Sequence, residues 1–150
     1  MSHGESRTAI ILLVEDDPED QKLTRRAFEI SKLRNQLFVV DDGEQALDFL
    51  YHRGEFADPN SPPRPDLILL DLNMPKLDGR AVLKRIKEDP DLRRIPVVIL
   101  TTSSQEEDIL RSYDLGVNSY ITKPVQMEGF IRAIRDLERY WFNLVVLPNG

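Results

Sequence analysis

The chain has 150 residues, 41% apolar and 31% charged, which suits one domain around a single core. Its 20 lysines and arginines against 26 acids leave a net charge of −6, which argues against nucleic acid as the main partner, since phosphate contacts need clustered cations. There is no cysteine, so disulfides, thiolate metal sites and cysteine nucleophiles are excluded, and the longest apolar run, AIILLV, falls far short of the roughly 18 residues of a membrane helix.

The polar leader MSHGESRT (1–8) in front of so short a run does not make a secretion signal, and a soluble cytoplasmic protein with no membrane partner is expected. AIILLV (9–14) reads as a first strand, buried on both faces. It ends at Glu15-Asp16-Asp17, and Asp17-Pro18-Glu19-Asp20 is a helix start: a capping Asp, a proline at the first helical position, and acids at the positive end of the dipole. Leu23, Ala27 and Ile30 continue that helix at i, i+4, i+7. QLFVV (36–40) is a second strand, and Ala46, Leu47 and Leu50 mark a helix after Gly43. The segment RGEFADPNSPPRP (53–65), with four prolines, reads as a long irregular loop. DLILL (66–70) is a third strand, and Val82, Leu83 and Ile86 mark a helix after Gly79. IPVVIL (95–100) is a fourth strand, followed by a helix through Ile109, Leu110 and Tyr113 that stops near Gly116. NSYIT (118–122) is the fifth, and Met127, Phe130, Ile131, Ile134, Leu137 and Trp141 form an amphipathic stripe on a last helix. Five strands alternating with five helices predict an α/β fold, a parallel sheet wound on both faces.

In such sheets ligands bind at the carboxyl ends of the strands, so the residues that follow each strand carry the chemistry. These are Glu15, Asp16 and Asp17 after the first, Asp71 after the third, Thr101 and Thr102 after the fourth, and Lys123 after the fifth. Asp17 is accounted for as a helix cap. Glu15 and Asp16 are not, and together with Asp71 they repel one another unless a cation joins them. Magnesium suits this set: a hard ion with oxygen ligands, few protein carboxylates and often a phosphate oxygen. Asp71 taken alone could be a turn-initiating residue; beside a divalent cation it could instead attack a phosphoryl donor. Lys123 would then balance the phosphoryl charge, and Thr101 could donate a hydrogen bond to it. Lys123-Pro124 could equally be a surface lysine before a turn, and its isomer is not readable. Tyr120 reads as a half-buried strand aromatic. His3 and His52 have no spacing that suggests a triad or a metal site, so both are expected to face solvent.

The pieces ILLVEDD (11–17), DLILLDLNMPKLDG (66–79), IPVVILTT (95–102) and SYITKP (119–124), in this order, resemble the receiver domain of two-component response regulators. The resemblance implies a flavodoxin-like strand order 2-1-3-4-5, Asp71 as phospho-acceptor, and Mg²⁺ held by Glu15, Asp16, Asp71 and the backbone carbonyl of Asn73. It implies that Thr101, Thr102, Tyr120 and Lys123 line the phosphoryl-sensing switch, Tyr120 by changing rotamer. Thr102 departs from the alanine of many receivers, which bears on phosphoryl lifetime in an unfixed direction. The proline-rich loop and the ending RYWFNLVVLPNG (139–150) resemble the small single-domain regulators paired with bacterial and cyanobacterial phytochromes. A histidine kinase, a bacteriophytochrome, is therefore the expected partner.

The expected layout is a leader (1–8), a receiver domain (9–140) and an apolar extension (141–150). Trp141, Phe142, Leu144, Val145, Val146 and Leu147 would form an apolar patch, which marks an interface. A homodimer through helix 5 and this tail is expected, with folding back onto the domain as the alternative. The function expected is a phospho-accepting signalling protein with slow self-dephosphorylation, not an enzyme. The alternatives are a Mg²⁺-dependent phosphohydrolase working through an aspartyl phosphate, and a receiver-like interaction module that is not phosphorylated.

Overall fold

The computed structural model describes residues 8–30, 34–60, 64–74, 78–101, 105, 108, 117, 119–122, 128–129, 131–132 and 135. Its strands are β1 (Ala9–Val14), β2 (Asn35–Val40), β3 (Leu67–Asp71), β4 (Val97–Thr101) and β5 (Ser119–Thr122). They form one sheet in the order β2-β1-β3-β4-β5, with every pairing parallel. This is the expected flavodoxin-like arrangement. Three α-helices stand complete among the described residues: α1 (Pro18–Ile30), α2 (Gly43–Tyr51) and α3 (Gly79–Glu88). Residues 105, 108, 128, 129, 131, 132 and 135 are also helical, within the fourth and fifth helices predicted above.

Side chains on a strand alternate between faces, and the central strands, covered on both, are apolar throughout. Leu12, Val14, Ile68, Leu70, Val97 and Ile99 join Leu47, Leu50, Leu83 and Ile86 of α2 and α3 in one core cluster. Ile11, Leu13, Leu67, Leu69, Val98 and Leu100 join Ala27 and Phe28 of α1 in the other. Each of these three helices starts where an aspartate takes its first amides: Asp17 accepts from Glu19 N, Asp42 from Gln45 N, and Asp78 from Arg80 N and Ala81 N.

The differences from expectation are local. β4 begins at Val97 because Pro96 has no N–H for the ladder. β3 begins one residue late and runs through Asp71, while Asp66 stays outside the strand and bonds β1: its carboxylate accepts from Ile10 N and its N–H donates to Ile10 O. On α1 the buried residues are Thr24, Ala27 and Phe28, with Leu23 half-buried and Ile30 50% exposed. Thr24 can be buried because its hydroxyl donates to Asp20 O at 2.8 Å, leaving its methyl to pack. The proline-rich loop contains a 3₁₀ turn, Gly54–Phe56, whose Phe56 meets the Phe49 ring edge-on at 5.1 Å between centroids. His52 is exposed as expected, and it closes α2 in the left-handed conformation at φ 54°. Next to it the Tyr51 hydroxyl donates to Asp89 at 2.7 Å, joining the ends of α2 and α3 and holding the Asp89 carboxyl below its usual range.

Among the described residues no helix is long and apolar enough to cross a membrane. Lys123, Thr102, His3, Pro75, Pro124, most of the stripes predicted for helices 4 and 5, and the whole segment 136–150, with Trp141, Phe142, Leu144, Val145, Val146 and Leu147, lie outside the described residues.

Candidate functional site

Parallel register brings the functional residues to one edge of the sheet. Val14 pairs with Leu70, so the next residues, Glu15 and Asp71, emerge level with each other at the carboxyl ends of β1 and β3. Asp71 pairs with Leu100, which puts Thr101 one step further along β4. Thr101 in turn pairs with Thr122 of β5, the residue before Lys123. Glu15, Asp71 and Thr101 are all buried, at 0%, 1% and 0% exposure, while Asp16 is exposed. Tyr120 is half-buried, as expected, and packs against the cluster that holds Val97 and Ile99.

Glu15, Asp16 and Asp71 each offer a carboxylate oxygen, and these oxygens lie within 4.8 Å of one another. Two buried carboxylates and a third at the rim, this close together, repel strongly in a medium less polar than water. An all-oxygen donor set with one side open to solvent fits a hard divalent cation that keeps some of its water. The residues present therefore fit a magnesium-type ion.

The acids are held in place by their own backbone and by neighbours. The Asn73 N–H donates to Asp71 Oδ1 at 3.0 Å, closing the turn that follows β3. Asn73 is exposed, with its backbone beside Asp71. Glu15 Oε2 accepts from Asp17 N at 3.1 Å, so the residue that caps α1 also fixes the orientation of Glu15. The Glu15 Oε1 atom lies buried.

Sequence reasoning missed a second layer. Gln21 Nε2 donates to the Glu15 carbonyl at 2.6 Å and to Asp41 Oδ1 at 3.0 Å, and the Asp41 N–H donates to Gln45 Oε1 at 2.9 Å. These bonds tie the loops after β1 and β2 to α1 and α2. The signal was available: helical side chains lean toward the N-terminus, so a long polar residue in the first turn of α1 reaches back over the acids that precede it.

Residues 11–135 match the family model described as the response regulator receiver domain. Response regulator Rcp1 of Synechocystis sp. is 45% identical over 148 residues, which cover 99% of each chain. Among solved structures, the bacteriophytochrome response regulator RtBRR is similar with a TM-score of 0.80 and 49% identity, over 87% of this chain and 78% of that one. The Mn²⁺-bound form of Rcp1 gives 0.74 and 47%, over 89% and 94%. The phosphorylated cyanobacterial phytochrome response regulator RcpA gives 0.75 and 46%, over 91% and 95%.

Proposed function

Because the chain belongs to the response regulator receiver family, we propose that Asp71 is its phospho-acceptor and that Glu15, Asp16, Asp71 and the Asn73 carbonyl hold Mg²⁺ beside it. One observation carries this reading: the carboxylates of Glu15, Asp16 and Asp71 converge within 4.8 Å at the carboxyl edge of the sheet, two of them buried.

A carboxylate oxygen of Asp71 attacks the phosphorus of a phosphohistidine on a partner kinase. The new bond is Asp71 O–P, the bond broken is P–N, and the electron pair returns to the imidazole of the kinase. The Asn73 N–H holds Asp71 Oδ1 so that the carboxylate keeps one orientation during attack. Bound Mg²⁺ supplies positive charge against the phosphoryl oxygens. The Thr101 hydroxyl, on the neighbouring strand, donates to the transferred group, with Lys123 as its second cation. Thr102 shapes access to the group. Tyr120, set between that edge and the core, then changes rotamer and reshapes the surface read by the next protein.

The names of the relatives support a phytochrome-type histidine kinase as the donor. A signalling protein is favoured over a phosphohydrolase because Asn73 offers an amide two residues after Asp71, where a second acid would protonate a leaving group. The apolar sequence 141–150 supports a homodimer through helix 5 and this segment. Light scattering on the chain ending at Tyr140 is expected to report a monomer, and an unchanged dimer overturns that part.

The acceptor is tested by incubation with acetyl phosphate and Mg²⁺ followed by intact mass. One phosphoryl group per chain is expected, and none when the metal is chelated. No label on the wild-type protein, or sustained turnover of small phosphoesters, overturns the reading.

A further inference from the structure

We infer that Gly79 is a positioning residue for the acid triangle: its missing side chain lets the first turn of α3 rest on the Asp71–Leu72 peptide and so sets where the Asp71 carboxylate stands. The inference rests on the metal reading given above. A Cβ at Gly79 would stand 2.2 Å from the Asp71 carbonyl oxygen, 2.6 Å from Leu72 Cα and 2.9 Å from the Asp71 carbonyl carbon. All three are backbone atoms, so no side-chain rotation relieves the clash.

Backbone conformation does not account for a glycine here. The one glycine with positive φ among the described residues is Gly54, and Gly79 is an ordinary first helical residue, where alanine is the better helix former. What excludes alanine is the contact alone. Leu72 is held on both of its peptides: its N–H, in the peptide the Cβ would meet, donates to Leu100 O of β4 at 3.1 Å, and its carbonyl, in the next peptide, accepts from Gly79 N–H at 3.1 Å. Nor can α3 back away, because Val82, Leu83 and Ile86 are buried in the core. A methyl group at residue 79 therefore pushes on the peptide that carries Asp71, against a ladder bond on its far side. Asp71 then moves relative to Glu15 and Asp16, which are set by β1 and α1.

The test compares Mn²⁺ affinity, from the electron paramagnetic resonance of free Mn²⁺, for wild type, Gly79→Ala and Ile86→Ala, at a temperature where circular dichroism shows all three folded. Ile86→Ala loosens the far end of the same helix and controls for loss of stability. Gly79→Ala is expected to bind about tenfold more weakly, and Ile86→Ala within twofold of wild type. A wild-type protein that binds no Mn²⁺ overturns the metal reading itself. Wild-type affinity in Gly79→Ala, or an equal loss in Ile86→Ala, overturns the positioning role. Should Gly79→Ala not fold, amide hydrogen exchange on the wild-type protein decides. Saturating Mg²⁺ is expected to slow exchange at Gly79 more than at Leu83, and equal slowing at the two overturns the inference.

Discussion

Asp71→Asn is expected to lose phosphoryl incorporation completely and, in the presence of a chelator, to melt at a higher temperature than wild type. The second effect follows from the same geometry as the first. Oxygens of Glu15, Asp16 and Asp71 lie within 4.8 Å of one another. At that distance two unit charges repel by about 3 kcal/mol at an effective dielectric of 20. Solvent at Asp16 and the hydrogen bonds to Asp71 and Glu15 absorb part of this. An amide at residue 71 removes two of the three repelling pairs and still offers an oxygen to the Asn73 N–H. A net gain of about 1–2 kcal/mol is expected, or roughly 2–8 °C for a chain of this size. Mg²⁺ should reverse the order, because it stabilises wild type by binding the folded state and finds a weaker site in the variant. Differential scanning fluorimetry with and without Mg²⁺ makes the comparison. A variant that melts at or below wild type in chelator sinks the repulsion account, and one that still takes up a phosphoryl group sinks the acceptor assignment.

The acids are thus placed against the preference of the fold, and the sequence betrays this. DLILLD carries an apolar run straight into a carboxylate, and ILLVED does the same on β1. Both acids proved buried, at adjacent strand ends. Strand positions and helix starts were legible for a related reason: caps such as Asp17 and continuous apolar runs are local signals, and local signals survive packing. The order of the strands, by contrast, came only with the resemblance to receiver domains. The stripe on α1 was legible only in part. Leu23, Ala27 and Ile30 repeat at i, i+4, i+7, but of these only Ala27 is fully buried; Thr24 and Phe28 share its face, and Ile30 lies half in water. Hydropathy alone cannot find Thr24, whose polarity is cancelled by a bond to Asp20 O within the same helix. Nor can it find Phe56, which packs from inside a loop that reads as polar and proline-rich. Gly79 looked like punctuation before a helix. That it touches the Asp71 backbone depends on how α3 docks, which no spacing encodes. The second layer through Gln21, Asp41 and Gln45 joins two loops that are far apart in the chain but neighbours in the sheet.

Leu70→Ala is expected to show that stability and metal binding are carried by different atoms of the same strand. Leu70 is fully buried, in the cluster that also holds Leu12, Leu83 and Ile86. Its truncation removes packing that α3 and the sheet cannot recover by small shifts, at a cost of about 3–4 kcal/mol. That is roughly 10 °C in melting temperature. Yet Leu70 adjoins Asp71 only through the chain, and the backbone there is pinned by the β1 and β4 ladders. Mg²⁺ should therefore stabilise Leu70→Ala as much as it stabilises wild type, by about 2.7 kcal/mol at a hundred times its Kd. Urea unfolding of both proteins, with Mg²⁺ and with chelator, measures the two increments. Equal increments with a large offset between the proteins are expected. An increment that vanishes in Leu70→Ala would mean that core packing itself holds the acids together. The separate control assigned to Gly79 would then fall with it, since any loosening around β3 would scatter the site. In Gly79→Ala it is the Mg²⁺ increment that should shrink, because the methyl group presses on the Asp71 backbone while the core beneath stays filled.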